Sequence, residues 1–108
     1  MRDNIKGGAL TEVTFFILIA LYTPKHGYAI MQFIENKTNK RLTLGAGTLY
    51  GALSSLQKKG WIIPYKNNDL RRKTYVITDL GKQTAQNELK RLLELTQIAS
   101  ETIGGINE

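Results

Sequence analysis

The sequence predicts a mainly α-helical protein with one small β-hairpin, and three observations carry that prediction. Four segments read as helices from the spacing of their apolar residues. Two short strand-like runs, Trp61–Lys66 and Arg72–Ile77, flank the turn-rich segment Asn67-Asn68-Asp69-Leu70-Arg71. Their order along the chain is helix, helix, helix, strand, hairpin tip, strand, helix. That order is a winged helix-turn-helix followed by one extra C-terminal helix.

Residues 10–22 are apolar on nearly all sides and predict a buried helix, which Thr23-Pro24 ends. His26-Gly27 opens a second helix over Tyr28 to Lys37, with Ala29, Ile30, Phe33 and Ile34 as its apolar stripe. The polar and basic stretch Asn36 to Leu44 reads as the connector. A third helix runs over Ala46 to Lys59. Leu49, Leu53 and Leu56, with Ala52 beside them, form its inner stripe, and Gly60 stands where a C-cap belongs. Pro64 demotes the first strand to an edge or limits its pairing. Trp61, Tyr75, Val76 and Ile77 are read as sheet and core. Thr78 is placed to cap the last helix, with Asp79 in its first turn. That helix is expected to run to about Ser100, with Gly104-Gly105 and the residues after it frayed.

The last helix has a pattern of its own. Ala85, Leu89, Leu92, Thr96, Ala99 and Ile103 are spaced 4, 3, 4, 3, 4, a heptad seam, and Leu93, Leu95 and Ile98 widen the apolar surface. Part of this helix is expected to pack on its own domain, against Val13–Leu21. The rest is expected to be buried against the same helix of a second copy. The dimerisation residues read from the seam are Ala85, Leu89, Leu92, Leu93, Thr96, Ala99 and Ile103. The chain divides accordingly into residues 1–78, the winged unit, and 79–108, the dimerisation helix and tail, within one compact unit.

The charge is uneven. The 108 residues carry a net +6; residues 1–78 hold 12 basic and 4 acidic side chains, and residues 79–108 hold 3 and 5. A body at +8 and a tail at −2 suggest that the body meets a polyanion and the tail meets protein. With no cysteine, disulfides and thiolate metal sites are excluded. His26 is the only histidine and reads as a structural residue at a helix start. Asp and Glu have no metal-ligand spacing, and the glycines of Leu44–Gly51 lack the Gly-Lys-Ser/Thr ending of a phosphate loop. No catalysis, metal or cofactor is expected. No signal peptide is visible, and Val13 to Tyr22 falls far below the roughly 20 residues that span a bilayer, so the expected location is cytoplasmic and nucleoid-associated.

The third helix shows Gly47, Thr48, Tyr50, Ser54 and Lys58 outward, a surface suited to close approach and hydrogen bonding. Followed by a basic hairpin, it points to double-stranded DNA, with the helix in the major groove. Lys66, Asn67, Asn68, Arg71, Arg72 and Lys73 cluster about the hairpin tip, where long cations suit phosphates or a minor groove. Lys25, Lys37, Lys40, Arg41, Arg2 and Lys6 are secondary phosphate candidates. The helix lacks Arg and Asn, the usual bidentate readers of G and A, so direct readout is expected to be modest.

Three stretches resemble the PadR family of bacterial transcriptional regulators. His26-Gly27-Tyr28 resembles the start of the family's second helix. Gly47-Thr48-Leu49-Tyr50, with Ala52-Leu53, Leu56, Lys59-Gly60 and Ile62, resembles its recognition-helix signature. Arg72-Lys73-Thr74-Tyr75-Val76-Ile77-Thr78, followed by Gly81, resembles its wing strand and final helix start. A single helix after the wing is similar to the short subgroup. The resemblance implies a homodimeric repressor on an inverted-repeat operator, and it leaves room for a small-molecule inducer. Where the family often has Pro, this chain has Ala46 and Gly51. Some short members hold planar aromatic drugs between tryptophans on the final helices; no aromatic residue follows Tyr75, so the resemblance does not extend to that mechanism. The competing expectation is a winged-helix protein-interaction module with non-specific nucleic-acid affinity.

Overall fold

The computed structural model describes residues 5–6, 8–66 and 72–104. The elements are β1 (Ile5–Lys6), β2 (Ala9–Leu10), α1 (Glu12–Ala20), β3 (Lys25–His26), α2 (Gly27–Lys37), α3 (Ala46–Lys58), β4 (Ile62–Tyr65), β5 (Thr74–Ile77) and α4 (Asp79–Ile103). The four helices and the hairpin match the expected order. Two features go beyond it. A short antiparallel β1–β2 pair precedes α1, and β3 joins the hairpin as a third strand, in the order β3-β5-β4. Pro64 does sit on the edge strand, where its missing N–H costs no ladder bond.

Helices α1, α2 and α4 each start at a side-chain cap the chain supplies. Thr11 accepts from the Thr14 amide at α1, and His26 Nδ1 accepts from the Ala29 amide at α2. Between α2 and α3, Thr38 Oγ1 donates to the Ile34 carbonyl and accepts from the Leu42 amide, and Asn39 and Lys40 take positive φ values of 49° and 65° to turn the chain. The core lies where the three helices meet the sheet. Ile17, Leu18, Leu21, Ile30, Ile34, Leu49, Leu53 and Leu56 have no exposed surface. Trp61, Tyr75, Ile77 and Ala85 close the core from the sheet and α4.

The junction of α3, the hairpin and α4 is built from backbone. Gly60 has φ +77°, which ends α3 in the left-handed conformation that glycine adopts at no steric cost. Thr78 Oγ1 donates to the Gly60 carbonyl at 2.7 Å and accepts from the Gly81 amide at 3.0 Å, so one hydroxyl caps α4 and ties it to the end of α3. The Thr78 amide donates to the Trp61 carbonyl and the Ile77 amide to the Leu21 carbonyl, both at 2.9 Å. Gly81 then passes directly over Trp61. A Cβ there would collide with the Trp61 carbonyl oxygen and come within 2.7 Å of Ile77 Cγ1.

Gly81, Ala85 and Glu88 form the line along which α4 packs on its own domain. Glu88 is 5% exposed, yet its carboxylate is fully engaged. It accepts from Arg91 Nε at 2.9 Å and Nη2 at 2.6 Å, and from the Leu10 amide of β2. The Arg91 hydrogen bonds, seconded by the Leu10 amide, hold the Glu88 carboxyl below its ordinary range although burial pushes it up. The N-terminal β1–β2 pair is thereby tied to α4.

Two outcomes are expected. Gly81→Ala should lose about 2–3 kcal/mol of stability in urea denaturation followed by Trp61 fluorescence, because backbone must move to admit the methyl group. The lowered Glu88 carboxyl should contribute stability above the unfolded-state value of about 4.3, and lose it as pH falls through the folded value. Glu88→Gln should therefore be less stable than the parent at about pH 7, with the gap narrowing as the pH falls below the ordinary carboxylate range.

Candidate nucleic-acid interface

Helix α3 turns its leucines inward, so the opposite face is set by the 3.6-residue repeat. Leu49, Leu53 and Leu56 are fully buried. Gly47, Gly51, Ser54 and Lys58, spaced 4, 3 and 4, make the outward ridge, flanked by Tyr50 on one side and Thr48 on the other. A Cβ at Gly45, Gly47 or Gly51 would meet open space, so these glycines answer no demand of the interior. They leave the front of the helix low. The helix starts at Gly45 without a side-chain cap, which leaves its first-turn amides and the positive end of its dipole facing solvent. Thr48 is exposed and makes no cap there.

Tyr50 is 49% exposed and is held from behind. Its phenol lies across Gly27, the first residue of α2, so closely that a Gly27 Cβ would overlap the hydroxyl and come within 2.9 Å of Cζ. Tyr75 lies close enough that its phenol is pushed up, chiefly by burial and then by the Tyr50 phenol. Tyr50 thus leans on α2 and the root of the hairpin while half its surface stays open.

The hairpin pairs Ile62 with Ile77 through Tyr65 with Thr74. Lys66, Arg72 and Lys73 stand exposed at its outer end; Asn67, Asn68 and Arg71 lie outside the described residues. The added strand β3 pairs Lys25 with Tyr75 and His26 with Thr74, which sets the start of α2 beside the hairpin root. There Arg72 Nη1 lies 3.0 Å from His26 Nε2, and the His26 and Tyr28 rings are parallel within 2° at 6.5 Å. The sequence reading missed this corner. Tyr28, 62% exposed, was placed on α2 and not at the surface shared with the hairpin, because a two-residue strand carries no periodicity to read.

The secondary phosphate candidates divide. Lys25 Nζ donates to the Ala20 carbonyl at 2.5 Å and to Thr23 Oγ1 at 2.8 Å, and burial pushes its ammonium down. It caps α1 from above the Phe33 ring, which Lys37 also covers. Arg41 pairs with Glu12 in an exposed ion pair. Lys40 is exposed. Arg2 and the side chain of Lys6 lie outside the described residues. Lys59 covers the Trp61 ring at 5.4 Å, which leaves Lys58 as the cation on the α3 ridge.

On α4, Ala85, the first residue of the heptad seam, is 4% exposed and packs within its own chain. Beyond it the seam opens to solvent. Leu89, Leu93, Leu95, Ile98 and Ile103 are exposed, Thr96 with them, and Leu92 and Ala99 are half-buried. The start of this surface borders an open apolar groove of about 440 Å³ between α1 and α4, lined by Phe15, Ile19, Tyr22, Ala85, Gln86 and Leu89. No described helix is long and apolar enough to cross a membrane.

A short three-stranded sheet beside a helix-turn-helix, with a low polar ridge on the second helix of that unit, defines a winged-helix protein of the nucleic-acid-binding class. The model of the transcriptional regulator PadR-like family matches residues 17–87, and the chain belongs to that family. It is 32% identical over 101 residues to the uncharacterised protein X of Lysinibacillus sphaericus, covering 91% of each chain. Among solved structures it is similar to a PadR family transcriptional regulator from Eggerthella lenta, with a TM-score of 0.72 at 22% identity over 84% of this chain and 80% of that one. It is also similar to RosR of H. salinarum, with a TM-score of 0.68 at 26% identity over 87% and 89%. The protein is a DNA-binding transcriptional regulator and not an enzyme.

The seat of Tyr50 generates a prediction. In Gly27→Ala the new methyl displaces the Tyr50 ring, the far end of a flexible side chain, while helix propensity rises. Stability should stay within about 1 kcal/mol. Affinity for a bound duplex should fall roughly tenfold in fluorescence anisotropy, the loss of one well-placed contact.

Proposed function

We propose that this protein is a homodimeric repressor that binds an inverted-repeat operator. Residues 1–78 act as the DNA-binding unit and residues 79–108 as the dimerisation helix and tail. The observation that carries this reading is the α3 ridge, low and polar, standing beside the outward cations of the hairpin. Gly47, Thr48, Tyr50, Ser54 and Lys58 would enter the major groove. Lys66, Arg72 and Lys73, with Asn67, Asn68 and Arg71 of the tip, would take the backbone or adjacent minor groove. Hydroxyls, water and DNA shape carry most of the specificity, since the ridge offers no bidentate Arg or Asn.

The dimer reading rests on α4. Its second half exposes more large apolar side chains than a lone surface helix keeps in water. A second copy burying Leu89, Leu92, Leu93, Thr96, Ala99 and Ile103 would place two α3 helices on one DNA face, with half-sites about 34–36 Å apart. A small-molecule inducer would act by binding one dimer geometry better than the other.

Selection of bound duplexes from a random pool tests the reading. Enrichment of an inverted repeat with half-sites one helical turn apart, and a steep fall of affinity with salt, is the expected result. Leu93→Asp should turn a dimer into a folded monomer in sedimentation velocity and lower operator affinity by about 100-fold or more, since half of the contacts are lost. Salt-sensitive binding with no enriched sequence would replace the operator reading with a protein-interaction module that has a basic surface.

A further inference from the structure

Helix α2 buries Gly27, Ile30 and Ile34 and turns Tyr28 the other way. Tyr28 lies two residues before Ile30, about 200° round the helix, and its ring stands in solvent, 62% exposed. The fold nevertheless fixes where it stands. His26 caps α2 through the Ala29 amide, and the Tyr28 ring runs parallel to the capping imidazole, within 2° at 6.5 Å. Strand β3 ties His26 in turn to Thr74 of the hairpin. Gly27, between His26 and Tyr28 in the chain, carries the Tyr50 phenol. Two phenols, one from α2 and one from α3, therefore reach solvent at the start of α2. Neither hydroxyl has a hydrogen-bond partner among the described residues. The first two turns of α2 hold no acidic side chain to repel an anion.

We propose that Tyr28 is a DNA-contact residue whose hydroxyl donates to a phosphate of the DNA backbone, beside the groove that α3 enters. The assignment rests on the DNA reading of α3 and the hairpin given above. In a helix-turn-helix the second helix lies in the groove and the first crosses the backbone. Here α3 is the second helix and α2 the first, which brings a phosphate to α2. A phenol is a neutral donor, and tyrosine is among the side chains that bond phosphate oxygens. The stack on His26 holds the ring before DNA arrives, which lowers the entropy cost of the contact. The ligand class is a phosphodiester, not a base, so the contact adds affinity and register without sequence preference.

Tyr28→Phe removes the hydroxyl and keeps the ring beside His26. Binding is measured by anisotropy against salt, with the operator recovered by selection and an unrelated duplex of equal length. Both should weaken alike, about fivefold, with an unchanged salt slope, because a neutral donor displaces no counterion. The melting temperature should not move, since the hydroxyl has no partner within the protein. Operators carrying one methylphosphonate at a time then locate the contact, because each replaces one anionic oxygen by a methyl group. At the phosphate that Tyr28 holds, the loss of affinity should be about fivefold smaller in Tyr28→Phe than in wild type, since both changes remove the same bond.

Wild-type affinity in Tyr28→Phe, or losses that multiply at every phosphate, would overturn the contact and leave the DNA reading intact. A loss confined to the operator would overturn the phosphate assignment and make Tyr28 a reader of bases. Lys66→Ala and Lys73→Ala variants serve as the control on the hairpin, and each should lower the salt slope by about one. Unchanged affinity and slope in both would overturn the DNA reading and the Tyr28 contact together.

Discussion

The arrangement of the molecule depends on one close backbone contact, the passage of Gly81 over the Trp61 carbonyl. No side chain fits there. The hydroxyl of Thr78 seals the contact by bonding forward to the Gly81 amide and back to the Gly60 carbonyl. Three elements meet at this point: the end of the helix that would read DNA, the first strand of the wing, and the start of the C-terminal helix. Their relative positions are therefore set by hydrogen bonds between main-chain groups, which tolerate little sliding, and less by side-chain packing, which can relax.

The same economy governs the outward surface of α3. The glycines of α3 serve no internal packing, and its first turn has no side-chain cap. Helix stability is given up there, about 1 kcal/mol for a mid-helix glycine such as Gly51 relative to alanine. What results is a shallow ridge bearing hydroxyls, which suits close approach to a groove and water-mediated contact. The cations lie to the side, on the hairpin and at Lys58. Several other basic residues are spent inside the protein's own structure. Lys25 closes the end of α1, and Lys59 roofs Trp61. A count of positive charges therefore overstates the number available to a polyanion.

Much of the fold was legible because its signals are local. The leucine spacing of α3, Gly60 after it, Pro64 on the edge strand and Thr78 before α4 each work within a few residues, and each element stands within a residue or three of its expected bounds. What escaped was non-local or too short to show a period. Strand β3 is two residues long and exists only because β5 lies beside it. The hold of Gly27 on Tyr50 joins residues far apart in the chain, and the capture of Lys25 by a helix end depends on how α1 closes. The outward ridge of α3 was legible from composition and period together. The corner formed by His26, Tyr28 and Arg72 had neither to announce it.

The length of α4 has a mechanical meaning. Its 25 residues contain no glycine or proline after Gly81, so from its anchored first turn it runs as an unbroken lever of about 37 Å. A tilt of about 5° at the anchored end moves the far end by about 3 Å, close to the 3.4 Å step between neighbouring bases on a DNA strand. Because the wing, α3 and this lever share one backbone junction, a small angular change at that junction is carried to the far end of α4 as a displacement of several ångströms. In the dimer proposed above, the stiffness of that junction would set how much variation in site spacing the protein tolerates.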